Sequence, residues 1–205
     1  MKMPGILFSV VLFIGHGENP SYCSDASITG YAGRPQDSVS WIQDFRKFRD
    51  AMYQNDRTAV KSFIDFPIIN DNNEIWFLVY GWEGKGAELM KSDKKEPMTE
   101  KDFDRYYAKI FGKTFIQLIL KIKTEELFRK GETETAEISN GKATSYKIYS
   151  TFDTGRRVLS LNLSSNTIIK DAKGEETDRG ESNTIYEFHI LKNGHIKFMQ
   201  VRLAG

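Results

Sequence analysis

The first half of the chain carries apolar residues at the three- and four-residue spacings of amphipathic helices. One stripe runs through residues 41–52, a short helix with Asp56 as its N-cap follows, and a third pattern begins at Thr99 and continues past Gly112 to about Phe128. An Asp or Thr at such a position accepts hydrogen bonds from the free amides of a helix start. This half of the chain is therefore predicted to be mainly helical.

Two segments between these helices have a different pattern. Residues 75–80, Ile-Trp-Phe-Leu-Val-Tyr, form a continuous apolar and aromatic run, which predicts a buried strand. Residues 81–97 are polar and predict a loop. Its glycine-rich start, residues 81–86, lacks the spacing of a phosphate-binding or dinucleotide-binding motif, so we interpret it as a mobile segment.

The second half of the chain changes to a period of two. Residues 146–152, 158–163 and 185–203 alternate apolar with polar side chains, as antiparallel strands with one buried face do. Residues 171–183 are charged and predict a loop. The pair Asn193-Gly194 predicts a two-residue type I′ turn in the last hairpin. That turn would place six side chains on the core face: Tyr186, Phe188, Ile190, Met199, Val201 and Leu203.

Helices followed by antiparallel strands predict an α+β fold, and 205 residues fit one domain.

At the N-terminus, Lys2 precedes an apolar run over residues 6–14. Such a run is typical of a signal peptide and is too short to span a membrane, although a buried first strand is the alternative. We predict a signal peptide over residues 1–23, a flexible leader over 24–37 and a single domain over 38–205. The protein is then exported, to the periplasm, the cell envelope or the medium.

Cys23 is the only cysteine, which excludes an intramolecular disulfide. Its place after the apolar run makes it a candidate for lipid attachment, which would give an outer-membrane lipoprotein. Tyr22 departs from the small residues that normally precede such a cysteine, and cleavage after Cys23 or Ala26 is the alternative.

The net charge is +1 and no basic tract alternates with aromatic residues, so a nucleic-acid partner is not predicted.

Several stretches of core aromatic residues also resemble those of a known superfamily. They are Phe45-x-x-Phe48-Arg49-x-Ala51 continuing to Phe66-Pro67-Ile68, Thr99-Glu100-x-x-Phe103-x-x-Tyr106-Tyr107-x-x-Ile110-Phe111, and the closing hairpin with Tyr186-x-Phe188 and Ile196-Lys197-Phe198. They look like bacterial exported proteins of the nuclear-transport-factor-2-like superfamily. The resemblance implies N-terminal helices packed in the concavity of a strongly curved antiparallel sheet, a cone with a pocket between the two layers.

The sequence lacks the signatures of several kinds of chemistry. His189 and His195 are the histidines outside the predicted signal peptide, and no His or Cys cluster has metal-ligand spacing, so no metal and no other cofactor is predicted. No Gly-x-Ser-x-Gly nucleophile motif is present.

Proteins of the resembled fold that act on small molecules use a carboxylate, histidine or tyrosine inside the cone. The weak candidates for such a role are Asp65, Tyr80, Tyr106, Tyr107 and His189, because burial can shift their pKa values toward proton transfer. Each also has a structural interpretation. The aspartate can end a helix, the tyrosines can pack in the core, and the histidine can be a cross-strand residue of the hairpin.

Two hypotheses about function follow. The favoured one is a non-catalytic exported or cell-envelope module that binds a small ligand or a protein partner through the cone or an exposed face of the sheet. The alternative is a small-molecule isomerase, dehydratase or hydrolase with a Tyr/Asp/His pocket. An enzyme of this kind needs at least two titratable groups that converge in an open pocket, and a binding module does not.

Overall fold

The computed structural model describes residues 37–139, 143–171 and 173–204. The predicted signal peptide, almost all of the leader and Cys23 lie outside these residues. The described helices are α1 (Asp37–Gln54), α2 (Arg57–Lys61), α3 (Glu74–Tyr80), α4 (Lys85–Met90), α5 (Glu100–Ile110), α6 (Lys113–Ile119) and α7 (Thr124–Lys130). The described strands are β1 (Glu132–Glu134), β2 (Ile138–Ser139), β3 (Thr144–Asp153), β4 (Val158–Lys170), β5 (Glu176–Ile190) and β6 (Ile196–Ala204). This order confirms the α+β fold class.

The strands form one antiparallel sheet in the order β1-β3-β4-β5-β6, and β2 also pairs with β3. Alternate residues of each strand point to the helices, since successive side chains leave a strand on opposite faces. On this face Ile148, Leu159, Leu161 and Phe188 are fully buried. The helices cover the face, and the core lies between the two layers.

The sequence predicted the apolar stripe of α1 and the N-caps of α2 and α5 correctly. The stripe on α1 is buried at Trp41, Phe45, Phe48 and Met52, as the spacing predicts. Asp56 caps α2 by accepting a hydrogen bond from the Ala59 amide at 3.0 Å. Thr99 and Asp102 form a reciprocal capping box at the start of α5. The long pattern after Gly112 is divided between two helices, α6 and α7.

Phe111, which follows α5, is the centre of the aromatic core. Its ring centroid lies within 6.0 Å of six others. These rings come from the three helices α1, α5 and α6 and from both C-terminal strands: Phe48, Phe103, Tyr107, Phe115, Tyr186 and Phe198. Around Phe111, the space between helices and sheet is therefore occupied by side chains and not by the pocket that a cone would enclose.

The predicted strand over residues 75–80 was wrong, because this segment is helix α3. A short apolar run fits a buried helix as well as a buried strand, and here the segment buries Ile75, Trp76 and Val79 at helical spacing. The predicted loop over residues 81–97 was wrong in part, since it contains α4.

The glycine-rich stretch joins α3 and α4 in a tight turn. Gly81 and Gly84 have φ values of +79° and +57°, a region that L side chains seldom adopt. A Cβ atom added to Gly86 would lie 2.0 Å from the carbonyl oxygen of Gly81. The glycines thus allow two helices to approach closely.

The turn of the last hairpin differs from the prediction. Its loop has three residues, because Leu191 and His195 form the closing pair, with the Leu191 amide donating to the His195 carbonyl at 2.8 Å. Gly194 has a φ of +81°, as a three-residue loop with a glycine bulge requires. The pairing is therefore shifted by one residue, with Phe188 opposite Phe198.

A second irregularity, between Glu187 and Phe188, restores the predicted register further along the hairpin, where Tyr186 pairs with Val201. The predicted core position of Met199 was consequently wrong, since its side chain is 40% exposed. Phe198, predicted on the opposite face, is buried instead. Tyr186, Phe188, Ile190 and Val201 are buried as predicted, and Leu203 is half-buried.

The predicted charged loop over residues 171–183 was also wrong, because β5 begins at Glu176 and pairs with the far end of β4. These strand ends are mostly exposed to solvent. With both faces in solvent they lack the apolar alternation that marks a strand in a sequence.

Strand β6 is an edge of the sheet, and its outward amides are bound by the N-terminal half of the chain. The amide of Phe198 donates to the carbonyl of Phe63 at 2.8 Å. The Val201 amide donates to Asn70 Oδ1 at 3.2 Å, and the Leu203 amide donates to Glu74 Oε1 at 3.1 Å. Both of these acceptor side chains are buried, so this edge is closed to a further strand.

Candidate functional site

Tyr80 and Tyr106, two of the residues predicted from the sequence, come together at the surface of the helical layer. Tyr80 is the last residue of α3 and Tyr106 lies on α5, and their hydroxyl oxygens are 3.4 Å apart. Lys85, the first residue of α4, donates from Nζ to the Tyr80 hydroxyl at 3.1 Å and lies 4.6 Å from its ring centroid. The tight glycine turn makes this contact, because it folds α4 back onto the end of α3.

Other aromatic and basic side chains hold these groups in place. The indole of Trp76 stacks on the Tyr80 ring at 5.8 Å and donates from Nε1 to the Glu96 carbonyl at 2.8 Å. The guanidinium of Arg105 lies 5.2 Å from the centroid of Tyr106. We call the whole patch the aromatic–donor surface, and its residues are Trp76, Phe77, Tyr80, Trp82, Lys85, Arg105 and Tyr106.

Trp82 is the most exposed large side chain of this surface. Its side chain is 72% exposed, and it contacts the ring of Phe77 with centroids 4.2 Å apart. A tryptophan held by a single ring neighbour presents a large apolar face to solvent. The aromatic–donor surface therefore combines an apolar ring with hydroxyl, ammonium and guanidinium donors.

The electrostatics of the tyrosine pair are unequal. The hydrogen bond with Tyr106 lowers the pKa of Tyr80, the nearby ammonium of Lys85 lowers it further, and burial opposes both. The same hydrogen bond raises the pKa of Tyr106. Of the two hydroxyls, Tyr80 is therefore the one that ionises first.

Asp65 and His189 do not join this cluster. Asp65 is exposed and pairs with Lys197 Nζ at 2.8 Å, while half-buried His189 lies opposite Lys197 in the ladder between β5 and β6. Tyr107 is buried, and its hydroxyl donates to Met52 Sδ at 3.3 Å; burial raises its pKa. The structure therefore brings Tyr80 and Tyr106 together and leaves Asp65, His189 and Tyr107 apart from them.

A second polar pair was not predicted from the sequence. Asp44 on α1 is buried, and its Oδ2 accepts a hydrogen bond from Nδ1 of His195 at 2.7 Å. The two residues are 151 positions apart, and neither belongs to a motif. No signal in a single sequence would connect them. Lys85 was missed for a different reason, since its segment was interpreted as a mobile loop.

Three surface clefts are described, with volumes of about 300, 400 and 450 Å³. The first lies between α7, β1 and β3, the second beside the paired strands β3 and β4, and the third between α1 and the β5–β6 turn. None of these three is lined by the aromatic–donor surface. Within the described residues there is no group of three or more metal-ligating side chains, and none of the described helices has the length and apolar character to cross a membrane.

No protein-family model matches the chain, and no curated protein matches it in sequence. A comparison of structures finds a similar crystal structure, described as "a putative ketosteroid isomerase" from Shewanella frigidimarina. It is 10% identical, the match covers 82% of this chain and 98% of that chain, and the TM-score is 0.29. At this level of similarity neither a family nor an activity follows, and the resemblance to the nuclear-transport-factor-2-like superfamily stays a prediction.

Proposed function

We propose that this protein is a non-catalytic exported module that binds a protein partner through the aromatic–donor surface. The observation that carries the proposal is the convergence of Lys85, Tyr80 and Tyr106, together with exposed Trp82 two positions after Tyr80 in the chain. The partner segment presents a carboxylate to the Lys85 ammonium and to the hydroxyl hydrogen that the tyrosine pair leaves free, and an apolar side chain to the indole.

The composition of the surface supports a protein partner. Tryptophan, tyrosine and arginine are the residues that most often dominate the energy of protein interfaces. The three described clefts lie elsewhere, and the space around Phe111 is filled by rings. A small molecule binds best in a concavity, whereas a protein can cover an open surface of this kind.

The charges of the aromatic–donor surface suit a short-range contact with one charged group of the partner better than long-range attraction of a charged protein. Lys85 and Arg105 are basic, but exposed Glu83 and Glu88 flank Lys85 in the chain. A uniformly acidic partner would gain little from such a mixed surface. Convergent donors suit a single carboxylate, because charge-assisted hydrogen bonds are directional and stronger than neutral ones.

The separation of the candidate residues speaks against the enzyme alternative. Acid–base catalysis on a small molecule needs its acid and base within hydrogen-bond reach of one substrate. Asp65 pairs with Lys197 on a different element, and His189 lies on β5, so Tyr80 and Tyr106 lack both partners.

The test is selection of binding peptides with the full chain as bait. A displayed peptide library should yield sequences with a carboxylate next to an aromatic or aliphatic residue. The affinity of the selected peptides should fall about tenfold or more with Trp82→Ala and with Lys85→Gln. Tyr53→Ala, which changes a 73% exposed ring on α1, is the control and should leave affinity unchanged. Peptides that bind the Trp82→Ala variant as well as the original protein would refute the proposal.

Export is tested separately. The chain is expressed in a bacterium, the cell is fractionated and the purified protein is sequenced from its N-terminus. We expect a mature chain that begins at Ser24 or Ser27, after cleavage behind Cys23 or Ala26. A chain that remains in the cytoplasm with Met1 or Lys2 at its start would contradict the proposed export.

A further inference from the structure

The cleft between α1 and the β5–β6 turn is a second site, separate from the aromatic–donor surface. Its volume of about 450 Å³ lies within the range of small-molecule pockets. Its walls come from α1, the segment after α2 and the last hairpin, and its lining residues are Asp44, Lys47, Ser62, Phe63, Leu191, Asn193, His195, Ile196 and Lys197.

Asp44 positions the imidazole of His195 at this cleft. The Asp44 side chain is 8% exposed, and a buried carboxylate requires donors around it. It receives them from His195 Nδ1 at 2.7 Å, from the Ile196 amide at 3.4 Å and from Lys47 Nζ at 3.4 Å. These contacts hold the carboxylate in place, and the shortest of them, to Nδ1, fixes the imidazole ring.

The fixed ring leaves its other nitrogen for a ligand. Since Nδ1 donates to Asp44, Nε2 lies on the opposite side of the ring, and the His195 side chain is 58% exposed. Among the described residues, no hydrogen bond to Nε2 is formed. A carboxylate-oriented imidazole with a free Nε2 can donate to an anion when protonated.

Two lysines complete the polar lining of the cleft. Lys47 is 70% exposed and holds Asp44 only at 3.4 Å, so its ammonium can turn toward a ligand. Lys197 donates to the Ser62 carbonyl at 3.1 Å and pairs with exposed Asp65 at 2.8 Å. The lining therefore has three basic side chains and one acidic side chain, and the acidic one is buried beneath them.

Apolar side chains form the remaining walls. Phe63 and Ile196 are almost completely buried beneath the cleft, and Leu191 is half-buried at its rim. An apolar wall next to basic donors is the arrangement that binds a small organic anion, since the ring or chain of the ligand packs and its charged end is hydrogen-bonded.

We propose that this cleft binds a small organic anion, a carboxylate or phosphate monoester, with His195 Nε2 and the ammonium groups of Lys47 and Lys197 as its polar contacts. Asp44 is a positioning residue that orients the imidazole. This site is independent of the aromatic–donor surface, so either can fail without the other.

The experiment titrates the full chain with phenyl phosphate, benzoate and the neutral analogue benzyl alcohol. The imidazole ¹⁵N and ¹H signals are followed by NMR spectroscopy, with His189→Gln and His195→Gln used to assign them. We expect saturable shifts of the His195 signals with one or both anions at millimolar concentrations and no such shift with benzyl alcohol. The signals of His189, on the neighbouring strand, are the internal control and should not move. The tighter of the two anions identifies the charged group that the site prefers.

Variants of the lysines supply the second readout. Lys47→Gln combined with Lys197→Gln should weaken anion binding by an order of magnitude, as expected for the loss of charge-assisted hydrogen bonds. Lys95→Gln, an exposed lysine paired with Asp71 elsewhere, is the control. The proposal is overturned if neither anion shifts the His195 signals, if benzyl alcohol shifts them equally, or if the double variant binds as well as the Lys95→Gln control.

Discussion

At the scale of single residues, the hydrogen bond between Tyr80 and Tyr106 changes the pKa values of the two hydroxyl groups in opposite directions. The hydroxyls of Tyr80 and Tyr106 share a hydrogen bond, and Lys85 adds positive charge beside the Tyr80 oxygen. The phenolate of Tyr80 is therefore stabilised, while Tyr106 retains its proton. This difference between the two pKa values can be measured without knowledge of any partner.

We expect Tyr80 to be the first tyrosine of this pair to ionise when the pH is raised. A lowered folded-state pKa gives a stabilisation that is present above the unfolded pKa of tyrosine and is lost as the pH falls through the lowered value. The raised pKa of Tyr106 acts in the opposite direction on stability. The direct measurement is therefore the near-ultraviolet absorbance of phenolate during an alkaline titration.

In that titration, Tyr80→Phe should remove the earliest phenolate step, and Lys85→Gln should move it to higher pH. Tyr53→Phe is the matched control on an exposed ring. If the earliest step survives in Tyr80→Phe, the hydrogen-bonded pair is not formed as described.

Site residues were only partly accessible from the sequence. Tyr80 and Tyr106 were candidates because their residue type suits proton chemistry, but their contact depends on the packing of α3 against α5, and the sequence did not predict that α3 is a helix. Asp44 and His195 carry no motif, and the hydrogen bond between them needs the whole sheet to bring α1 to the last hairpin. A hydrogen bond between two residues that are far apart in the chain leaves no local pattern in the sequence.

At the scale of elements, the α3–α4 turn depends on three glycines, Gly81, Gly84 and Gly86, because a glycine has no Cβ atom. The two glycines with positive φ reverse the chain, and Gly86 lets the Gly81 carbonyl approach the second helix. The turn sets the position of Lys85 and Trp82, so the aromatic–donor surface depends on it.

Gly86→Ala should destabilise the protein by about 2 kcal/mol, in the range of overpacked positions, because its Cβ would lie 2.0 Å from backbone oxygen. Gly180→Ala is the control, since a Cβ there meets no atom within 4 Å. The measurement is the free energy of unfolding in urea. Equal values for the two variants would mean that the helices are not in close contact at Gly86.

Elements were predicted correctly where long periodic stripes and caps agreed, as in α1, α5 and the central parts of β3 and β4. The prediction for residues 75–80 was wrong because six apolar residues have no resolvable period. The hairpin register was wrong because Asn-Gly can occupy either a two-residue loop or the last positions of a three-residue loop. The local sequence does not determine which of the two loop lengths forms. The packing of Phe198 and Ile196 against the helices favours the three-residue loop.

At the scale of the whole molecule, one aromatic network joins helices and sheet. Phe111 contacts rings from α1, α5, α6, β5 and β6. The sequence predicted the two layers and most of these rings as core. It did not predict that they would fill the centre instead of lining a pocket, since that depends on how deeply each ring inserts.

Phe111→Ala should cost about 3–5 kcal/mol of unfolding free energy, the usual range for loss of a buried phenylalanine. It should also create a cavity that binds a small apolar probe such as benzene, which the original protein should not bind. Both are measured by thermal unfolding with and without benzene, with Tyr53→Ala as the surface control. Stabilisation of the original protein by benzene would instead indicate an open interior.

The covered edge of β6 has a consequence for behaviour at high concentration. A sheet polymerises when the last strand of one molecule donates its amides to a strand of the next. Here those amides are held by Phe63, Asn70 and Glu74, which precede β6 by more than a hundred positions in the same chain. Fibre growth from this edge would first have to detach the N-terminal half of the molecule, so the fold that supports the two proposed sites also protects the protein against self-assembly through its C-terminal strand.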